Sequence, residues 1–340
     1  MVPLSYDADL DQVVEVGIHA DLRNASLYAL GGQLEAAGNA ADQQALRMLL
    51  LRAARIARSR GIAVADSLVG LAIKDACWLV TPGALEACSP LGGPIRVTLR
   101  DGPPVDALVQ ARVEALRLSA GPELETKYRF TALNRGPDGL DVTLAPTTWT
   151  SARRFHAAVQ RDPGWASKLA DGRWAKPVPF GDQLLPGIAV VHAIILTSDR
   201  QVIAAERSRE VNYAPLHWSV SFEEQLNEKD FGHDQDAFTV AARRGFYEEF
   251  GADVPTVDVV PLASVMQVDL LNLGVVMLLR PAMTASDIRD SWQSAARDGW
   301  EANDVRCFPL DDLAAANLGT QLHSTSELRC LALRRWLSRP

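Results

Sequence analysis

The run Asp236-Ala-Phe-Thr-Val-Ala-Ala-Arg-Arg-Gly-Phe-Tyr-Glu-Glu-Phe-Gly251 admits one local structure, a short amphipathic helix with a charged working face. Phe238, Ala242, Phe246 and Phe250 recur every four residues and form an apolar stripe. Asp236 is suited to cap the first turn, and Gly251 to end the helix in a left-handed conformation. Arg244 and Glu248 are four apart and would pair along a neighbouring face. Glu249 follows directly, so two carboxylates leave the last turn together and repel unless a positive group holds them. Mg²⁺ suits such a site, because it takes oxygen ligands and keeps waters and substrate phosphates in its shell.

The flanking segments read as a framework for that helix. Residues 189–197 are a near-continuous β-prone run, 198–200 a turn, and 201–208 a second strand. Residues 254–260 and 274–279 read as further strands. The segment 227–235 is polar and reads as a loop over the site.

The helix resembles the second half of the Nudix box, whose pattern is G-x5-E-x7-R-E-U-x-E-E-x-G-U, U being aliphatic or aromatic. Arg244, Phe246, Glu248, Glu249 and Gly251 match, with Ala252 at the last U. The glutamate after the arginine is replaced by Gly245, the early glutamate falls on Asp236, and the first glycine falls on Asp230. The strand pair ending in Arg207 is similar to the hairpin preceding the family's box. His217-Trp-Ser-Val-Ser-Phe-Glu-Glu224 falls where the family often carries W-x-x-P-G-G-x-x-E, with Ser221 and Phe222 near the place of the glycines. Residues 300–313 resemble the closing strand and final helix.

The resemblance implies an α/β/α sandwich with a mixed sheet over residues 186–340. It implies a Mg²⁺- or Mn²⁺-dependent hydrolase that splits a nucleoside diphosphate from another moiety. The implied metal ligands are Glu248, Glu249 and Glu301. Arg244 would orient a ligand glutamate. The base lost with Gly245 would come from Glu223, Glu224 or Glu301. Arg207, His217 and Trp218 would meet the substrate. The alternative is a Nudix-like module that binds a nucleotide or a protein without hydrolysis. An isomerase of isoprenoid diphosphates would need a nearby cysteine, for which Cys307 is the candidate.

Composition narrows the partners. The 340 residues carry a net charge of −8, which gives no general attraction to nucleic acid or to an anionic membrane. No apolar run reaches the ~20 residues of a membrane helix. Cys77, Cys88, Cys307 and Cys330 show no metal-type spacing and read as reduced thiols, and the N-terminal residues lack a signal-peptide pattern. A cytoplasmic protein is expected, with a homodimer as the form common in the family.

The first half is expected to be a separate α+β domain over residues 1–120, followed by a hairpin and connector over 121–185. Its expected elements are a strand at 13–22, helices at 40–60 and 105–118, a strand at 95–99, a hairpin about 134–139 and a helix at 151–160. Residues 67–80 are ambiguous between helix and strand.

Overall fold

A computed structural model describes residues 72–74, 77–79, 94–102, 105, 107–116, 125–136, 139–162, 165, 169, 185–211, 213–252, 257–267, 270–309, 323 and 325–337. The expected strand at 13–22 and helix at 40–60 lie outside these residues. The ambiguous stretch at 67–80 contributes two short strands, β1 (Ala72–Lys74) and β2 (Cys77–Leu79).

The chain then forms β3 (Ile95–Leu99), α1 (Ala107–Ala115), β4 (Lys127–Gly136), β5 (Gly139–Thr147) and α2 (Trp149–Arg161). β6 (Val190–Ile195), β7 (Gln201–Arg207), β8 (Trp218–Val220) and β9 (Glu223–Gln225) follow. They lead into α3 (Ala237–Phe250), β10 (Asp258–Gln267), β11 (Asn272–Arg280), α4 (Ala285–Ala295), β12 (Ala302–Pro309) and α5 (Ser326–Leu337). The fold class is α/β, as expected.

The largest sheet has the order β1-β2-β10-β11-β6-β9. It is mixed: β11 and β6 run parallel, and its other pairs are antiparallel. A second sheet, β12-β7-β8, is antiparallel throughout. The third, β3-β5-β4, holds the expected hairpin, which extends over 127–147, with β3 alongside it in parallel.

Side chains of successive strand residues point to opposite faces, and β9 shows which helices cover the main sheet. Glu224 meets α3 through Arg244, whereas Glu223 meets α5 through Arg329. The two helices therefore flank opposite faces, which is the α/β/α layering expected for this half.

α3 forms for the reasons its sequence supplies. Asp236 accepts the Thr239 N–H at 3.0 Å and caps the first turn. Gly251 ends the helix at φ 70°. Phe238, Ala242, Phe246 and Phe250 are buried, each phenylalanine contributing roughly 1.5–3 kcal/mol. Phe238 meets Phe130 of the hairpin at 5.8 Å between ring centroids, and Phe250 meets Phe222 at 6.0 Å. One continuous apolar core thus runs from Ile95 to Leu333 through both halves of the described chain.

Ser221 stands near the place of the glycine pair in the W-x-x-P-G-G pattern. It sits at φ 59°, the left-handed region that glycine favours. Its buried hydroxyl accepts the Ile195 N–H at 2.8 Å and donates to the Ile203 carbonyl at 3.2 Å. The strain of this conformation is offset by hydrogen bonds to β6 and β7.

Gly251 has no such latitude. A Cβ there would lie 2.6 Å from the Ala295 carbonyl carbon at the end of α4, on a backbone already at positive φ. Gly251→Ala is expected to lower stability by about 1–3 kcal/mol, read as a reduced denaturant midpoint with an unchanged slope.

Candidate active site

The site is organised by Arg244, whose guanidinium sits between α3, β9 and the single turn Glu228–Asp230. Nε and Nη2 donate to the two oxygens of Asp230 at 2.9 and 3.0 Å. Nη1 pairs with Glu248 Oε2 at 3.0 Å and with Glu224 Oε1 at 2.9 Å. Nη2 also donates to the Gln225 carbonyl at 3.0 Å. Burial works against the Arg244 charge, but Asp230, Glu224 and Glu248 outweigh it and push its pKa up.

Asp230, which holds the place of the box's first glycine, is fully buried and also accepts the Asn227 N–H. Asp236, at the place of the early glutamate, is committed to capping α3. Neither acid is turned toward Glu249.

Gly245 stands where the pattern has a glutamate, and packing excludes a side chain there. A Cβ would lie 2.5 Å from Phe222 Cε2 and 3.1 Å from Glu224 Cβ. The Phe222 ring belongs to the core and has no room to retreat. The glycine thus lets β9 approach α3 closely enough to bring a carboxylate, Glu224, beside the vacated position.

Glu249 is the carboxyl around which the others gather. Burial, then the charges of Glu301 and Glu224, push it well above the usual carboxylate range, with Arg207 pulling the other way. Glu301 is raised by burial first, and Arg207 opposes that shift too. Neither carboxyl has a hydrogen-bond or ion-pair partner among the described residues. Glu301 is carried by the turn Gly299–Glu301, which is tied to α3 by the Asp298 N–H to the Glu248 carbonyl at 2.8 Å. The Ser208 N–H to the Glu301 carbonyl at 2.7 Å ties the same turn to the end of β7. Glu224 is pushed up to about 7, by burial and by the Glu248 charge, with Arg244 opposing.

Arg207 ends β7, and its Nε donates to the Tyr213 carbonyl at 3.1 Å. His217 bonds backbone to backbone with Arg207, but its ring Nδ1 faces the Pro215 carbonyl at 2.9 Å. Trp218 is buried, with the Arg306 guanidinium 4.3 Å over its ring. Glu223 faces the opposite side of the sheet. Glu224, Glu248, Glu249, Glu301, Arg207 and Arg244 are therefore the sequence-derived residues that converge, and Glu223, His217 and Trp218 are directed elsewhere. Cys307 Sγ lies against α4, near Arg289 and the Ala285 carbonyl, and burial raises its thiol pKa.

The group that faces Glu223 carries no family motif. Arg329, His192, His323 and Thr325 surround its carboxylate. Arg329 comes from a helix whose register against the sheet no local pattern reveals.

No protein-family model matches the chain, and a comparison with curated proteins found no match. Similar solved structures include a Deinococcus radiodurans protein (20% identity, 44% of this chain and 82% of that one, TM-score 0.32). They also include the Nudix domain of Shewanella oneidensis NrtR, solved with ADP-ribose (14% identity, 45% and 89% coverage, TM-score 0.30). A third is the MutT protein of Methanosarcina mazei (14% identity, 44% and 93% coverage, TM-score 0.30). The solved neighbours are thus of Nudix type, over about half of this chain. Nothing about its chemistry follows from that likeness. No described helix is long and apolar enough to cross a membrane.

Restoring the motif residue tests the packing account of Gly245. Gly245→Glu is expected to destabilise the protein by about 1–3 kcal/mol through the clash with Phe222, seen as a lower melting temperature. A stable Gly245→Glu protein would show that the glycine is not a packing requirement.

Proposed function

We propose that the chain is a divalent-metal-dependent hydrolase of Nudix type, splitting the diphosphate linkage of a nucleoside diphosphate joined to another moiety. The observation that best supports this is the closeness of two part-buried carboxyls, Glu249 and Glu301, with Arg207 as the nearby cation. Such acids are unfavourable in a cleft unless a cation joins them. Among the described residues no group of three His, Cys, Asp or Glu side chains is already gathered at ligand spacing. The donors are all oxygen, which fits Mg²⁺ or Mn²⁺ completing its shell with water and substrate phosphate.

In this reading Glu248, Glu249 and Glu301 hold the metal. Bound there, it would neutralise phosphate charge and lower the pKa of an attacking water. Arg244 orients Glu248 and Glu224 at once. Arg207 meets the negative charge that grows on the phosphate oxygens. Glu224 uses Oε1 to bind Arg244 and the Gln225 N–H, which leaves Oε2 to accept the proton of the attacking water. A carboxyl with a pKa of about 7 is matched to that task at neutral pH.

The second reading is a nucleotide-binding module without hydrolysis. It is favoured by Gly245, since the helix itself offers no third carboxylate beside Arg244.

The test is release of nucleoside monophosphate or phosphate from a panel of nucleoside-diphosphate compounds with Mg²⁺ or Mn²⁺. Turnover is expected to require metal and to fall by at least about 100-fold in Glu249→Gln and in Glu224→Gln. Absence of turnover, with no metal bound to the wild-type protein, would favour the module.

The pH profile gives an independent check. Glu224 acts as a base only when deprotonated, so kcat/KM is expected to rise with pH through about 7 and then level off. A limb near pH 7 that survives in the residual activity of Glu224→Gln would assign the base elsewhere.

A further inference from the structure

We propose that Arg329 is a positioning residue of the acid site: its guanidinium fixes β9 from the far face of the sheet, so that Glu224 meets Arg244 on the near face. The inference rests on the reading of Glu224 given above.

Arg329 is completely buried. Nη1 donates to the carbonyls of Ala193 at 3.2 Å, Val220 at 2.5 Å and Phe222 at 3.0 Å, and to Ser219 Oγ at 3.3 Å. Nη2 donates to Glu223 Oε1 at 2.5 Å and to Thr325 Oγ1 at 2.5 Å. One side chain therefore holds β6, β8, the link between β8 and β9, and β9 itself.

The acid in this cluster is fixed from several sides. His192 Nδ1 lies 2.7 Å from Glu223 Oε1, and His323 Nε2 lies 3.3 Å from Oε2. Thr325 Oγ1 donates to Oε1 at 3.0 Å. Burial lowers both imidazoles, His323 to about 4, so the rings are neutral near pH 7 and the charge partner of Glu223 is Arg329. His192 Nε2 faces Gly274, where a Cβ would come within 2.4 Å of it, so the ring is closed off by backbone rather than open to a ligand.

Stability alone does not call for this arrangement. A buried ion pair is a weak source of stability, and a well-packed apolar side chain often does as well. What an apolar side chain cannot do is fix three carbonyls and a carboxylate in a set direction. The planar fork of arginine does this, and the single point charge of lysine does not. Because Glu223 and Glu224 are consecutive in a strand, locking one toward α5 aims the other at α3. The close approach of β9 to Gly245 leaves little slack for Glu224 to find Arg244 by side-chain rotation alone.

The experiment is Arg329→Lys in two backgrounds, wild type and Glu224→Gln, with hydrogen–deuterium exchange of the β9 amides measured alongside turnover. In the wild-type background kcat is expected to fall by about tenfold or more. In the Glu224→Gln background residual kcat should change by less than about twofold, because the group being positioned is already gone. Exchange at residues 223–225 should quicken while α3 stays protected. A folded Arg329→Lys protein with unchanged β9 exchange overturns the proposal, as does an equal loss of kcat in both backgrounds. If wild type turns over no diphosphate compound, the hydrolase reading fails by its own assay, and β9 exchange still decides the positioning role. Should Arg329→Lys not fold, Thr325→Val, which removes one contact from both Arg329 and Glu223, is put through the same measurements.

Discussion

The arrangement of the acid site depends on one guanidinium shared among three carboxylates. Arg244 joins Asp230, Glu224 and Glu248, which come from a turn, a strand and a helix. Planar, two-pronged pairing gives such contacts direction as well as strength. Without it, three acids would face one another in a partly closed cleft, where an uncompensated buried charge is worth several kcal/mol. Arg244 therefore sets the distance between α3 and β9, and that distance decides which acids can reach Glu249.

Much of this was legible in the sequence, and the legible part was local. The apolar stripe of α3, its Asp236 cap and its Gly251 end follow from spacings within one helix. The hairpins at 127–147 and 190–207 follow from β-prone runs divided by turn residues. What stayed hidden depends on contacts distant along the chain. The reason for Gly245 is the ring of Phe222, in the link between β8 and β9. The partner of Arg244 that replaces the motif's first glycine, Asp230, became visible only when the turn before α3 was seen to fold back. Trp218 and Glu223 were plausible substrate or metal contacts by position, but strand parity decides which face a side chain reaches, and a run as short as β9 does not announce its parity. α4 and α5 were also missed. Arg329 reads as one more charge on an amphipathic helix until its partners on the sheet are known.

The substitutions at motif positions share a physical pattern. Ser221 keeps a glycine's conformation and adds hydrogen bonds to two strands. Gly245 removes a side chain and lets a strand carboxylate draw near. In each case a departure from the motif's letter has a packing or hydrogen-bonding reason in this chain. Residue letters alone do not reveal such reasons, because they lie in backbone conformation and in packing between segments.

The clamp made by α5 also bears on how the chain reaches its final form. Arg329 is 106 positions from Glu223 and 136 from Ala193 in sequence, so its contacts close loops of a hundred residues and more. Ordering such loops is entropically slow relative to the local hairpins. β6, β8 and α3 can take shape before α5 docks, but until then Glu223 lacks its countercharge and the edge strand beside it is held only by its neighbour. The acid site would thus be the last region to mature, completed by a helix that acts on it only through the strand between them.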